Sequence, residues 1–494
     1  MQELPFILGV GAAVLLAAVV AVRFSIRLGL PSLLLYLAIG VVLGEAGFGI
    51  AFDDAELAQA LGIAALVMIL AEGGLTTRWR SVRPALGPGV ALATVSVGIS
   101  ILVIGTATHY ALGLDWRTAL LWGAVLSSTD AAAVFSVLRS KGLRKRLSGT
   151  LELESGLNDA PVYIMVVLLA GTEPASWLVP VDVLYQLVVG GLVGLALGWL
   201  GAQALRRAAL PATGLYPLAT VAVCVFAFAS GQLLQASGLL ATYLAGVVLG
   251  NSRLPHRSDT LSFAEGLGWL AQIGLFVMLG LFASPGRLLE PTAVLPGLLA
   301  GAIVLFLARP VSVIPALLPF RVPWREQAFI SWAGLRGAVP IVLATIPYAQ
   351  GVPGADALLD AVFVLVVVFT LLQGLTMSPL ARLLGVASDT EPREMQVDSA
   401  PLDHLGANLL QVTIRPGSKL HGVYIAELRL PKGATVSLVV RNGTGFTPSD
   451  STRLTERDEL LIVTTDGVRS ATEQRIRAVD RAGRLARWKG ETGR

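Results

Sequence analysis

The chain has 494 residues, 54% of them hydrophobic against 14% charged, with a mean hydropathy of +0.72. That balance excludes a soluble globular protein and places most of the sequence in lipid. The net charge of +4 does not point to a nucleic-acid partner, because the arginines stand at the edges of apolar stretches.

The first apolar stretch follows Met1-Gln2-Glu3 with no basic segment before it and runs on into further apolar segments. It reads as a first transmembrane helix, not as a cleavable signal. A helix crosses about 30 Å of hydrocarbon with roughly 17–25 apolar residues. Such stretches fall at 5–22, 31–50, 57–75, 85–109, 117–138, 151–170 and 179–203, then at 215–234, 238–250, 264–285, 292–318, 327–347 and 359–381. They predict an all-α polytopic membrane protein of about thirteen spans, with 238–250 short for a crossing. The single cysteine, Cys224, lies in an apolar run, which leaves no disulfide framework and fits a small core residue.

Lysine and arginine alternate between successive loops. Arg23 and Arg27, then Arg78, Arg80 and Arg83, then Arg139, Lys141, Arg144, Lys145 and Arg146 fall on one side. Arg206, Arg207, Arg253, Arg257, Arg321, Arg325 and Arg382 join them, seventeen in all. The other side holds Arg117 and Arg287 and is acidic, with Asp53, Asp54, Glu56, Asp115, Glu173, Asp182, Glu290, Asp356 and Asp360. Cytoplasmic loops retain positive charge. The expectation is therefore an inner-membrane protein with its N-terminus outside and its C-terminus in the cytoplasm. The run at 139–146 reads first as a solvated topogenic loop, with lipid or nucleotide binding as the alternative.

After Arg382 the composition changes. Residues 385–406 are polar and acidic, around Ala387-Ser388-Asp389-Thr390-Glu391-Pro392, and read as a linker between a membrane domain at 1–384 and a module at 407–470. Strand patterns at 409–415, 435–441 and 460–464, punctuated by Pro416-Gly417 and Asn442-Gly443, flank a short helix at 423–428. This is a small α+β unit, of a size that gains stability by pairing with its counterpart in a dimer. The last segment, 471–494, carries Ile476, Val479, Leu485 and Ala486 among arginines. It reads as an amphipathic helix that lies on the membrane, on a partner or in solvent.

Charges inside the apolar stretches cost about 2.5–3.5 kcal/mol each on insertion, which makes each a candidate for function. Asp130 stands in Ser127-Ser128-Thr129-Asp130 of the fifth span, Glu152, Glu154 and Asp159 in the sixth, and Arg309 and Arg336 in the eleventh and twelfth. At 1.5 Å per residue Asp159 is roughly 13 Å deep, near the midplane where transporters place their ion site. Ser155 is four residues before it and shares its helix face, an oxygen pair suited to an alkali cation. No cysteine and histidine spacing suits a transition metal, and His109 and His256 stand at or near loop ends.

Two spans carry the composition of broken helices: Ser127-Ser128-Thr129-Asp130, and Gly334-Leu335-Arg336-Gly337-Ala338-Val339-Pro340. The topology makes the two antiparallel, as an inverted repeat requires. Unwound there, Asp130 would compensate positive half-helix ends and Arg336 negative ones. Direct ion binding stays open for Asp130. Arg336 reads first as a buried partner of Glu154 or Glu152. Glu72, near the inner end of the third span, either lines an access funnel or snorkels to the interface.

Ser-Ser-Thr-Asp at 127–130, Glu-Ser-Gly-Leu-Asn-Asp-Ala-Pro at 154–161 and Gly-Leu-Arg-Gly-Ala-Val-Pro at 334–340 together resemble the cation:proton antiporters of the NhaP type. The likeness extends over the membrane region, including Glu-Gly-Gly-Leu at 72–75. The resemblance implies Asp159 as the carrier carboxylate, Asn158 as its structural neighbour, Thr129 and Ser155 as cation ligands, and Glu154 with Arg336 as an interhelical ion pair. It also implies a homodimer with a scaffold and a moving six-helix core that contains the crossed, interrupted helices. The tail resembles the regulatory TrkA C-terminal (RCK-C) domain, through Pro416-Gly417-Ser418-Lys419-Leu420-His421-Gly422 and 454–463. That combination is similar to the potassium/proton antiporter subgroup and leaves room for a small-molecule regulator at the tail. Some relatives continue past this module with a further domain.

A desolvated carboxylate is disfavoured in its charged form, so a proton and a cation compete for it. One such group, beside the uncharged Asn158, predicts exchange of one potassium or sodium ion for one proton with no net charge moved. Sodium/proton exchange on the same scaffold is the near rival, and a channel would need a continuous pore or filter. Asp130 and Asp159 lack the Gly-x-Gly-Asp context of an intramembrane protease, and no nucleotide-binding Gly-x-x-x-x-Gly-Lys-Ser/Thr loop occurs. No dinucleotide-binding Gly-x-Gly-x-x-Gly unit accompanies the tail, and neither an enzyme nor a cofactor is expected.

Overall fold

The computed structural model describes residues 4–28, 31–45, 47–50, 52–138, 142–171, 178–388, 397–402, 407–415 and 417–486. Arg139 and Lys141 of the basic loop, Glu173, the linker residues 389–396 and 403–406, Pro416 and the tail beyond 486 lie outside the described residues. The chain divides into two units, Met1–Ser388 and Asp389–Arg494.

The first unit is helical. In chain order we label α1 (Leu4–Leu28), α2 (Ser32–Leu43), α3 (Ala55–Thr76), α4 (Trp79–Leu112), α5 (Trp116–Val125), α6 (Ala131–Val137), α7 (Lys145–Ala170) and α8 (Val179–Arg207). Then come α9 (Leu215–Leu233), α10 (Gly238–Asn251), α11 (Arg257–Phe282), α12 (Pro291–Phe320), α13 (Trp324–Trp332), α14 (Val339–Ala349) and α15 (Ala355–Leu383). Nine of these, among the described residues, are long and apolar enough to cross a membrane, and α2, α10 and α14 are shorter apolar helices. Helices prevail because lipid offers no partner to a backbone N–H or C=O. Small residues let them approach closely: Gly190, Gly194 and Gly198 of α8 meet the backbone at Ser237, Ala241 and Ala245, the last two on α10.

One order of elements occurs twice. A long helix with an internal π segment (Leu92–Ser96 in α4, Ile303–Ala308 in α12) is followed by an interrupted helix (α5 and α6, then α13 and α14) and a long helix (α7, then α15). The two π-bearing helices meet in a buried hydrogen bond from Ser100 Oγ to Ser312 Oγ at 2.9 Å. The spans read at 117–138 and 327–347 are both broken, at the two positions their composition marked. Ser127 Oγ donates back to Gly123 O at 2.6 Å, and Asp130 caps α6 by accepting from Ala133 N at 3.2 Å. Pro340 sits in the first turn of α14, where its missing N–H costs nothing. The breaks touch, because Asp130 N donates to Leu335 O at 2.8 Å. Beyond α15, the short strand β2 (Ala387–Ser388) pairs antiparallel with β1 (Gly142–Leu143).

The second unit is a five-stranded antiparallel sheet of order β3-β4-β7-β5-β6, formed by β3 (Val397–Leu402), β4 (Ala407–Thr413), β5 (Ala434–Arg441), β6 (Thr444–Phe446) and β7 (Glu459–Thr465). Asn442 and Gly443, both at positive φ, make the β5–β6 turn. The short helix expected at 423–428 is a 3-10 turn at Ile425–Leu428. Two expectations change here. The stretch read as linker contributes β3, an edge strand whose Asp398 and Pro401 gave it a polar look. The apolar face of α16 (Arg469–Ala482) is neither on a membrane nor in solvent: Ile476 and Val479 are fully buried with Leu410, Val412, Leu460 and Ile462 of the sheet. Asp458 of this unit is buried, and burial pushes its carboxyl up. Two bonds from Arg441, each 2.8 Å, and bonds from Thr455 outweigh that and hold it below its ordinary value.

Candidate ion site

α7 brings three polar side chains to the crossing. Asp159, near the middle of the helix, is 6% exposed, and its Oδ1 accepts from Ser128 Oγ at 2.9 Å. Asn158 Nδ2 donates to Thr129 Oγ1 at 2.6 Å, and Ser155 Oγ accepts from Ala131 N at 3.1 Å. One turn of α7 therefore satisfies the first break while holding a carboxylate against it. No hydrogen bond among the described residues occupies Asp159 Oδ2.

The structure places the two other buried charges differently from the expectation. Glu154 does not pair with Arg336. Arg309 Nη1 donates to Glu154 Oε1 at 2.6 Å, with both side chains almost wholly buried, and Arg309 Nη2 donates to Ile330 O at 2.9 Å. Arg336 instead donates from Nε to Leu126 O at 3.0 Å and from Nη1 to Gly334 O at 2.6 Å. Those carbonyls terminate α5 and follow α13, so Arg336 serves the negative half-helix ends, the second of the roles its sequence position offered. Asp130 serves the positive ends: it caps α6, and its carboxylate lies so close to Gly337, just before α14, that a Cβ there would collide with it. The second break is satisfied from α15, through Thr370 Oγ1 to Arg336 O at 2.9 Å and Gln373 Nε2 to Trp332 O at 2.7 Å.

A cavity of about 420 Å³ leads to this crossing. Its walls run from Thr76 and Ser148, at the arginine-rich ends of α3 and α7, past Glu72 and Glu152, to Thr129 and Asp159. Glu72 thus lines the cavity, half-buried, with its side chain against Gly268 of α11. Tyr243, on α10, reaches the same space and is 3.4 Å from Thr77 Oγ1. The donors are hard oxygens, and no group of three or more histidine, cysteine or acidic residues able to hold a metal ion occurs among the described residues.

Sequence reasoning missed Ser128 as the partner of Asp159, although it named the string that contains it. It listed Arg309 as an intramembrane charge without pairing it, since 155 residues separate it from Glu154. It placed Ser155, Asn158, Asp159, Thr129, Asp130 and Arg336 in one locality, where the structure brings them together.

Residues 14–383 match the family described as sodium/hydrogen exchanger, transmembrane, and residues 409–477 match the TrkA-C domain. The chain is 38% identical over 460 residues to the K(+)/H(+) antiporter NhaP of Alkalimonas amylolytica, covering 91% of this chain and 79% of that protein. It is 38% identical over 466 residues to the K(+)/H(+) antiporter NhaP2 of Shewanella oneidensis, covering 92% and 80%. Among solved structures, the sodium proton antiporter MjNhaP1 of Methanocaldococcus jannaschii superimposes with a TM-score of 0.68 at 23% identity, over 78% of this chain and all of that one. That likeness carries the fold of the membrane unit. By the extent of the sequence matches, the chain belongs to the sodium/hydrogen exchanger family of multi-pass membrane antiporters.

Proposed function

We propose that the chain exchanges potassium for protons across the bacterial inner membrane, one ion against one, with Asp159 alternately holding the cation and the proton. The observation that carries this reading is a buried carboxylate at the end of a cavity, Asp159, whose Oδ2 accepts no hydrogen bond from the described residues and lies beside the neutral oxygens of Ser155 and Thr129. Asn158 holds Thr129 and, being uncharged, keeps the site to one carboxylate. Asp130 and Arg336 compensate the half-helix ends, Glu154 with Arg309 forms the interhelical ion pair, and Glu72 lines the approach. The ions pass through chemically unchanged, so the protein is a transporter and not an enzyme.

Potassium is favoured because relatives that share both the membrane region and the tail are named K(+)/H(+) antiporters. The arginine asymmetry supports an N-terminus outside and a C-terminal unit in the cytoplasm. We place a transport domain at 1–384 and, from β3 through α16, a TrkA-C module that takes a small-molecule regulator. The working form is a homodimer. The test is cation-driven proton movement in proteoliposomes, with potassium against sodium and an ionophore clamping the voltage. Potassium-selective exchange indifferent to the clamp is expected. Sodium preference overturns the substrate, and a voltage-dependent flux overturns the one-to-one stoichiometry.

A further inference from the structure

Arg144 directly precedes α7 and takes no part in the ion site, yet its guanidinium joins three elements. Its Nη1 lies 3.5 Å from Glu326 Oε1 in the first turn of α13, and its Nη2 donates to Gly385 O, just past α15, at 3.1 Å. The residues before it, Gly142 and Leu143, pair with Ser388 and Ala387. One short stretch of chain thus fastens the base of the helix that carries Asp159 to the helix that leads into the second break. The same stretch holds the segment through which the chain continues to its C-terminal unit.

The burial of its acidic partner sets this contact apart from a fully exposed ion pair. An exposed ion pair contributes little. Glu326, however, has a side chain only 9% exposed against 57% for Arg144, and Arg144 is its one ion-pair partner among the described residues. A buried carboxylate stripped of its partner is costly in a way an exposed one is not. The backbone pairing of β1 with β2 adds a second, independent fastening at the same place.

We propose that Arg144 is a positioning residue for exchange, the centre of a clamp that makes the base of α7, the start of α13 and residues 385–388 travel as one body. Asp159 sits on one of the clamped helices and Arg336 follows the other, so the clamp keeps the carboxylate in register with the crossing while the core moves. Any movement of residues 385–388 is then a movement of the ion-site helix. The inference rests on the exchange reading above.

The test uses the full chain in proteoliposomes and separates rate from affinity. Arg144→Ala is expected to lower the maximal exchange rate roughly tenfold, as for a lost charge-assisted bond, with the half-saturating cation concentration unchanged. Arg144→Lys should recover part of that rate, and Arg144→Glu combined with Glu326→Arg more than either single charge reversal. An unchanged rate, or a loss expressed in the half-saturating concentration, overturns the clamp. A second variant does not depend on the stability of Arg144→Ala: Leu143→Cys with Ala387→Cys, in a Cys224→Ser background, oxidised and then reduced. These residues stand opposite each other, within reach of a disulfide, and the oxidised form is expected to exchange within about twofold of the reduced one. Exchange lost on oxidation and regained on reduction would mean that the ladder opens in each cycle, and would overturn the proposal. A wild type that moves no protons refutes exchange itself, and a wild type that exchanges while these variants misbehave refutes only the clamp.

Discussion

The two halves of the repeat solve the same problem with different side chains. In the first half, Ser155 and Asn158 of α7 satisfy the broken helix, and in the second Thr370 and Gln373 of α15 do so. Hydroxyl and amide stand three residues apart in each case. The next position differs: Asp159 in the first half, Gly374 in the second. The hydroxyl and amide are therefore the scaffold that any broken helix in lipid requires, and the carboxylate is what the first half adds to it. An unwound segment in a membrane must be satisfied by protein, and only one of the two was also given a group that can change its charge.

The largest effect should come from erasing that difference. Asp159→Asn keeps an oxygen for Ser128 to bond to and is expected to fold but to lose at least about a hundredfold in exchange, down to the liposome background. Substantial exchange by this variant would sink the carrier assignment. Next in size is Arg309→Leu, which leaves Glu154 buried without its partner and should cost about 3–5 kcal/mol of stability. Adding Glu154→Leu should return much of that in a thermal unfolding measurement, and a double variant no better than the single would show the pair is not the source. Smaller still is the competition at the site. As pH falls and the proton dominates, the half-saturating cation concentration should rise about tenfold per unit; a value independent of pH would exclude a shared carboxylate. The smallest effect belongs to the other half. Thr370→Val removes a bond to Arg336 O and should lower stability by about 1 kcal/mol while leaving the half-saturating concentration alone. A shift in cation affinity there would show that the second half is not merely structural.

The difference between the halves was legible in the sequence only on one side. The strings at 127–130 and 334–340 announced the breaks, since serine, threonine, glycine and proline are poor helix interiors. Helical spacing put Ser155 on the face of Asp159. Nothing periodic marked Thr370 and Gln373, two polar residues in an otherwise apolar span, as the counterparts of Ser155 and Asn158. Nor could spacing pair Arg309 with Glu154 and free Arg336 for Leu126 O, because such choices are made between segments that meet only in the fold. In the C-terminal unit β4, β5 and β7 were readable from their apolar alternation, while β3, with a single neighbour, was mistaken for linker.

The contact between the two breaks also bears on how the protein is made. Leu126 O waits for an arginine 210 residues downstream, and the N–H of Asp130 waits for a carbonyl almost as distant. At roughly 5–20 residues per second, translation needs about 10–40 s to supply them. For that interval the first half sits in or beside the membrane as an unfinished object with exposed polar backbone. Its early life depends on water or on the insertion machinery to stand in for the half that has not yet been synthesised.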